Sequence, residues 1–219
     1  MRFIKKWSYG CANFLMCQLK EGHEKRGVYY YAFQVIIGSL VKAFLVVSIS
    51  LLTGSLIPAI LMIGVFGSLR IFAGGYHMDT YGRCICTSLT LFIISSVFDQ
   101  YTYKYWSNFQ LFILVAVTFI FSVAASIKWA PLDNPNRPIT EPEEIKRFRT
   151  LTLLYEFIWL IASLAFIYFK IWEYKLVVIA GCFGVILEIF TITPVGTRFF
   201  DLIKGQLNKM GKQKKIISH

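Results

Sequence analysis

A histidine and a cysteine seven residues apart, His77 and Cys84, are the residues of this chain best suited to chemistry. They lie in Arg70–Cys86, which reads R-I-F-A-G-G-Y-H-M-D-T-Y-G-R-C-I-C between two strongly apolar segments. A cysteine sulfur attacks as the thiolate, and an imidazole is the usual base that takes its proton. If the two side chains meet, they form the base and nucleophile of a cysteine hydrolase or acyl-transfer site.

The spacing of this pair predicts a break in the helix between them. Seven residues are two turns of α-helix, which would hold the side chains about 10 Å apart along the axis. A base must approach to roughly 2.6–3.2 Å. Gly74–Gly75 and the stretch Asp79–Gly82 supply helix-breaking residues. We predict a catalytic loop over residues 74–84, with Cys84 in the first helical turn after it, where the helix dipole favours an anion.

Two plainer interpretations of these residues remain open. A histidine and a cysteine near a membrane surface often have no chemical role. A metal site from His77, Cys84 and Cys86 would lack a fourth ligand and has no C-x-x-C spacing. Cys86, two residues after Cys84, would face another side of a helix, and packing is its expected role. The chain has five cysteines, an odd number without framework spacing, so disulfides do not explain them.

The composition predicts an all-α, polytopic membrane protein. Hydrophobic residues make up 56% of the 219 residues and charged residues only 16%, whereas soluble domains average about 25% charged residues. Six windows approach the length of about 20 apolar residues that a bilayer requires. They are Tyr31–Leu52, Leu56–Ala73, Ile85–Gln100, Phe109–Ile127, Leu151–Phe169 and Leu176–Thr193. Because the second and third are short, four full spans with two re-entrant segments are an alternative.

Basic residues predict the orientation of these spans. The net charge is +11, and the positive residues concentrate before the first span, in a Pro-rich loop at 128–150, and in a tail at 198–219. Such residues favour the cytoplasmic side, so both termini and the loop at 74–84 are expected there. Attraction to anionic lipid accounts for the charge better than nucleic-acid binding does. Residues 1–28 are expected to begin with an amphipathic helix in the membrane interface and to contain no cleaved signal. The chain is expected to form a single domain, 1–219.

Isolated charges inside the apolar windows require partners, because a charge within a bilayer is costly. Arg70 could bind an acidic part of a substrate, pair with Asp79 or Asp99, or reach towards the membrane surface. Lys42 and Glu188 could pair with each other, line a polar cavity or serve the passage of a peptide. The sequence leaves these alternatives open.

Arg70, the glycine pair, His77 and Cys84 together resemble the signature of the accessory gene regulator B (AgrB) family. These are membrane cysteine endopeptidases that process quorum-sensing propeptides in Gram-positive bacteria. The sequence A-P-L-D-N-P-N-R-P at Ala130–Pro138 is similar to the family's proline-rich cytoplasmic loop. The number of apolar segments, the basic N-terminal segment and Thr193–Pro194 also agree, so the resemblance covers nearly the whole chain.

The resemblance implies a mechanism without a cofactor or metal. His77 would be the base and Cys84 the nucleophile, forming a thioester on a small, membrane-bound, AgrD-like propeptide whose acidic C-terminal tail leaves. An internal Cys or Ser of the substrate would then close a thiolactone or lactone ring. Arg70 and Gly75 would support the site, and Asn136, Arg137 and Pro138 would contact the propeptide, although a Pro-rich turn has the same composition. The family also suggests a homodimer in the bacterial cell membrane.

Two other classes of function compete with this one. A small transporter or peptide exporter would use the charges within the spans and give His77 and Cys84 no chemistry; the inverted repeats that favour such proteins are not visible. A membrane adaptor for a signalling partner would need no catalytic residues.

Overall fold

The chain is a bundle of α-helices, as the sequence predicts. The computed structural model describes residues 2–20, 25–76, 81–132 and 141–203. The helices are α1 (Arg2–Leu19), α2 (Arg26–Leu52), α3 (Leu56–Ala73), α4 (Tyr81–Thr102), α5 (Asn108–Trp129), α6 (Pro142–Phe169) and α7 (Tyr174–Ile192). A 3₁₀ turn, Tyr103–Tyr105, follows α4, and residues 194–203 form a further helix, α8. Within the described ranges, six helices (α2 to α7) are long and apolar enough to cross a membrane.

The N-terminal helix α1 packs against α2 through a narrow stripe of residues one turn apart. Ile4, Ser8 and Ala12 are buried along this stripe. The large apolar side chains of Phe3, Trp7 and Phe14 remain exposed. An apolar face of this kind suits a helix that lies in the membrane interface, which agrees with the amphipathic helix predicted there.

Local sequence signals set several helix ends. Ser107 caps α5, accepting from the backbone N–H of Gln110 while the Gln110 side chain accepts from the Ser107 N–H, a reciprocal capping box. Between α7 and α8 the Thr193 hydroxyl accepts from the Gly196 N–H at 3.2 Å. Pro194 takes the first position of α8, where its missing N–H costs no hydrogen bond. The Thr-Pro pair therefore ends one helix and starts the next.

The centre of the bundle is α7, which packs against α3, α4, α5 and α6. Val185 and Ile189 of α7 and Leu69 of α3 are fully buried in one core cluster. Gly184 brings α7 close to α3, since a Cβ there would lie 2.9 Å from the Val65 Cβ. This close packing brings the polar side chains near the ends of α3 and α7 into contact.

The predicted end of a helix at the glycine pair before His77 is confirmed. Helix α3 ends at Ala73 and α4 begins at Tyr81; the break between His77 and Cys84 stays a prediction, because residues 77–80 are not among those described. Two boundaries differ from the prediction: α4 begins at Tyr81, within the loop predicted over residues 74–84, and α2 begins at Arg26 rather than Tyr31. Both helices extend beyond their apolar windows, because helix formation does not require apolar residues. His77 and Asp79 lie outside the described residues.

Candidate active site

Of the proposed pair of His77 and Cys84, the structure describes Cys84. This residue lies in the first turn of α4 and is half-buried. It lines a cavity of about 890 Å³ enclosed by α2, α3, α4 and α7, with Phe200 of α8 at one wall. Most of the lining is apolar. This volume is within the usual range for a pocket that binds an organic ligand, so a peptide segment can reach the sulfur.

One face of α4 supplies its side of the cavity. Cys84, Thr87, Ser88 and Leu91 line it at helical spacing. Cys86 is exposed and does not line the cavity. The two neighbouring thiols are therefore distinguished by geometry, and only Cys84 faces the space that a substrate can enter.

The cavity opens on the side of the bundle. Val28 and Ile36 of α2 and Ile71 of α3 line it and are also among the exposed large apolar residues. In a bilayer such side chains face acyl chains. A membrane-bound ligand can therefore enter from the lipid, without first crossing into water.

Arg70, near the end of α3, is held by three groups of the protein. Its Nη1 donates to Glu188 Oε2 and to Thr191 Oγ1, each at 3.1 Å, and its Nη2 donates to the Tyr76 carbonyl at 2.9 Å. Glu188 is fully buried and the Arg70 side chain is 22% exposed, so this is a largely desolvated ion pair. The guanidinium thus joins α3 to α7 and to the backbone just before His77.

The expected alternative that Arg70 pairs with Asp99 is wrong, because Glu188 is its carboxylate partner. Asp99 is fully buried elsewhere, and neither of its carboxylate oxygens has a hydrogen-bond partner among the described residues. The alternative of a direct ion pair between Lys42 and Glu188 is also wrong, because Glu188 pairs with Arg70 and no ion pair joins it to Lys42 among the described residues. Pairing with Asp79 falls outside the described residues.

Gly75 leaves the space that the Arg70 guanidinium occupies. A Cβ at Gly75 would collide with Arg70 Nη1 and with the Thr191 hydroxyl, and its φ of +139° is rare for residues with a side chain. The next residue, Tyr76, donates its backbone N–H to the Thr191 carbonyl at 3.2 Å. This short segment is therefore fixed to α7 through the Tyr76 N–H and to Arg70 of α3 through the Tyr76 carbonyl.

The Tyr76 side chain attaches the same segment to α8. Its ring stacks on Phe200 with centroids 5.3 Å apart and an interplanar angle of 8°. Its hydroxyl donates to Asp201 Oδ1 at 2.7 Å. Residues 198–203, predicted to belong to a C-terminal tail, are helical, and Phe200 and Asp201 among them brace the residue before His77. The adjacent aromatic residues Phe199–Phe200, unusual in a basic tail, were the signal for this role.

The connection between α5 and α6 also docks on this segment. The Leu132 N–H donates to the Ala73 carbonyl at 2.9 Å, and Gly74 pairs with Leu132 in an isolated parallel bridge. Arg149 of α6 donates to the Ala130 carbonyl at 2.9 Å, which fixes the other end of this stretch. The start of the Pro-rich loop therefore lies beside the proposed catalytic loop. Asn136, Arg137 and Pro138 lie outside the described residues.

Replacing Gly74 by alanine is expected to destabilise the protein by about 1–3 kcal/mol, the usual cost of a strained backbone position. Gly74 has a φ of +75°, and its Cβ would collide with the Leu132 carbonyl. Thermal unfolding in detergent measures the effect. Gly64→Ala, within the helix α3 that Gly74 follows, is the matched control, since a Cβ there meets open space, and it should leave the unfolding temperature unchanged or raise it. Equal effects of the two variants would contradict the docking of Leu132 on Gly74.

A family model for accessory gene regulator B matches residues 8–192. The chain belongs to the accessory gene regulator B family. Membership associates it with quorum-sensing peptide processing, with an AgrD-like propeptide as partner and with a membrane. No solved structure matches this AgrB-family chain significantly.

Three relatives agree with this assignment. The chain is 23% identical over 198 residues to the provisionally named AgrB-like protein 2 of Clostridium perfringens strain 13, covering 88% of this chain and 92% of the relative. An AgrB-like protein of C. perfringens strain SM101 is 23% identical over 200 residues, with the same coverage. An AgrB-like protein of Clostridium beijerinckii is 28% identical over 126 residues, 57% of this chain and 60% of the relative. The first two alignments extend over nearly the whole of both chains.

Proposed function

We propose that this AgrB-family protein is a membrane-embedded cysteine endopeptidase that cleaves a propeptide through a thioester on Cys84. The position of Cys84 is the observation that carries the proposal. Among the described cysteines it is the one that lines the large apolar cavity with a lateral opening. The family assignment supplies the substrate class, an AgrD-like propeptide.

The proposed reaction has two acyl-transfer steps. His77 takes the thiol proton of Cys84, and the thiolate attacks the carbonyl of the scissile peptide bond. The C–N bond breaks as His77 returns the proton to the leaving amine, so the C-terminal tail departs and a thioester remains on Cys84. An internal Cys or Ser of the peptide then attacks this thioester, which forms a thiolactone or lactone and restores the Cys84 thiol.

The apolar cavity favours the second step over hydrolysis. A thioester reacts with water wherever water reaches it, and a site that excludes water prevents this side reaction. Exchange between two thioesters is nearly balanced in free energy, so ring closure requires no other energy source.

The fold supports a positioning role for the residues around the loop. Arg70 binds the Tyr76 carbonyl, Thr191 binds the Tyr76 N–H, and Phe200 stacks on its ring. His77 follows directly in the chain, so these contacts limit where its backbone can go. Arg70 therefore acts as a positioning residue that holds the catalytic loop against α7.

The orientation in the membrane, the contacts to the propeptide and the oligomeric state are inferred from the sequence. Basic residues flank the loop's side of the membrane, so we place the reaction and both termini on the cytoplasmic side. The departing tail of the propeptide is acidic. Asn136, Arg137 and Pro138, four to six residues after the docked Leu132, contact the propeptide. The protein acts as a homodimer in the cell membrane.

Capture of the acyl-enzyme tests the proposal. The chain in lipid vesicles is mixed with the propeptide encoded by a short neighbouring reading frame, and intact-mass spectrometry follows the protein. We expect an adduct equal in mass to the propeptide without its tail, attached at Cys84 and released by hydroxylamine. The Cys86→Ala variant should form the same adduct and Cys84→Ala none. Cleavage of the propeptide by Cys84→Ala would overturn the proposal, whereas transport of an uncleaved peptide would favour an exporter.

A further inference from the structure

Lys42 is a cation on the wall of the same cavity, in the middle of a membrane-spanning helix. It lies on α2 and lines the cavity that Cys84 lines from α4. Ten residues separate it from the end of α2 at Leu52, or about 15 Å of helix. It is therefore near the middle of a hydrocarbon layer about 30 Å thick.

The charges around the cavity are not balanced. Among the described residues, Lys42 and Arg70 are the charged side chains that line it, and no acidic side chain does. Arg70 is already paired with Glu188, a carboxylate that lies outside the lining. The field of Lys42 reaches Glu188, but no ion pair or hydrogen bond of Lys42 is formed within the described part of the chain. Counted over the residues that the structure describes, the cavity therefore has one positive charge more than its protein partners neutralise.

We infer that the Lys42 ammonium binds a carboxylate of the peptide that enters the cavity. An ammonium without a counter-ion inside a bilayer is costly, so a ligand that brings an anion there gains both the attraction and the relief of that cost. The remaining lining is apolar, so the ligand is a largely apolar peptide segment with an acidic residue. The inference rests on the proposed function for its peptide, and it makes Lys42 a specificity-determining residue.

A lipid phosphate is the less suitable anion. Phosphates lie at the headgroup level, whereas Lys42 is about 15 Å of helix from the nearer end of α2. Lys42 also lies deeper than Arg70. A short turn joins the end of α2 to the start of α3 at Leu56, so both distances are measured from the same membrane surface. Arg70 is about 21 Å from that surface, beyond the middle of the layer and closer to the opposite surface than Lys42 is. A peptide bound at Cys84 can extend an acidic side chain from there into the bundle.

A charge exchange between enzyme and peptide tests this inference. Lys42→Met removes the charge and keeps an unbranched side chain, and Lys42→Glu reverses the charge. Each variant is assayed in phosphatidylcholine vesicles with the propeptide and with a set in which each Asp or Glu is changed singly to Lys. We expect Lys42→Met to lower kcat/KM about thirtyfold or more, mainly through KM, as for loss of one partner of a desolvated charge pair. Lys42→Glu should process one charge-reversed propeptide better than the parent peptide. Lys104→Glu, an equal change at an exposed lysine outside the cavity, should keep the parent preference.

A binding measurement separates failure of this inference from failure of the proposed chemistry. Binding of fluorescently labelled propeptides to Cys84→Ala and to Cys84→Ala/Lys42→Glu requires no cleavage, and should show the same exchange of preference. Charge-dependent binding without processing by the wild type would overturn the peptidase proposal and support the role of Lys42. Processing without any charge-reversed preference would overturn the role of Lys42 alone. The role of Lys42 would also be overturned if the Lys42→Met variant were defective only in vesicles that contain phosphatidylglycerol, since the anion that Lys42 binds would then be a lipid phosphate.

Discussion

Replacing Cys84 by alanine is expected to lower propeptide cleavage about a thousandfold or more, to the level of membranes without the chain. In the proposed mechanism the Cys84 thiolate is the one group of the protein that forms a bond to the substrate carbonyl, so no acyl-enzyme can form without it. Co-expression with the propeptide and electrophoresis of the product measure the effect. Cys84→Ser should be nearly as inactive, because a hydroxyl gives up its proton far less readily than a thiol. His77→Ala should show a comparable loss.

Two other cysteines are the controls for this result. Cys86→Ala should retain processing within about twofold, as expected of a surface substitution, because Cys86 is exposed and outside the cavity. Cys182→Ala should affect only stability, since Cys182 is buried in the core of α7. Loss of processing with Cys86→Ala alone would mean that the wrong thiol had been chosen. Normal processing by Cys84→Ala would end the peptidase hypothesis.

The second large effect is expected at the ion pair between Arg70 and Glu188. Arg70→Met leaves the fully buried Glu188 carboxylate without its cation, which is expected to cost about 3–5 kcal/mol. The substitution also releases the Tyr76 carbonyl, so processing should fall strongly as well. Thermal unfolding in detergent reports the first effect and propeptide cleavage the second. Arg70→Lys should be intermediate, because an ammonium lacks the planar fork that reaches Glu188 and Tyr76 together.

A double variant separates stability from positioning. Arg70→Met/Glu188→Leu replaces the pair by apolar side chains of similar size, which is often neutral or stabilising for a buried pair. The unfolding temperature should therefore recover, while processing stays low because Tyr76 is still released. Recovery of processing together with stability would show that Arg70 matters only for the fold.

The sequence predicted the elements that carry the site, and the reasons are local. The Gly74–Gly75 pair has backbone angles and contacts that other residues would strain, so the end of α3 was visible from residue types. The apolar windows predicted six spans because a bilayer imposes a length. The motif around His77 and Cys84 predicted the family, and the match over residues 8–192 agrees.

The contacts that hold the site were beyond the sequence, because they depend on which helices pack together. Arg70 and Glu188 lie 118 residues apart, and only the close approach of α3 and α7 at Gly184 brings them together. Asp99 was an equally reasonable partner by residue type. The brace from Phe200 to Tyr76 depends likewise on how α8 folds back after Pro194.

The lateral opening at Val28, Ile36 and Ile71 has a consequence for substrate selection. In a bilayer an apolar cavity open to the side fills with acyl chains, so the arriving peptide displaces lipid rather than water. Exchange of one hydrocarbon surface for another yields little free energy. Apolar contact therefore cannot distinguish the substrate from the membrane itself. Discrimination must come from the few polar groups at the wall. The apparent affinity of the protein for its substrate will depend on the lipids that compete for the same space.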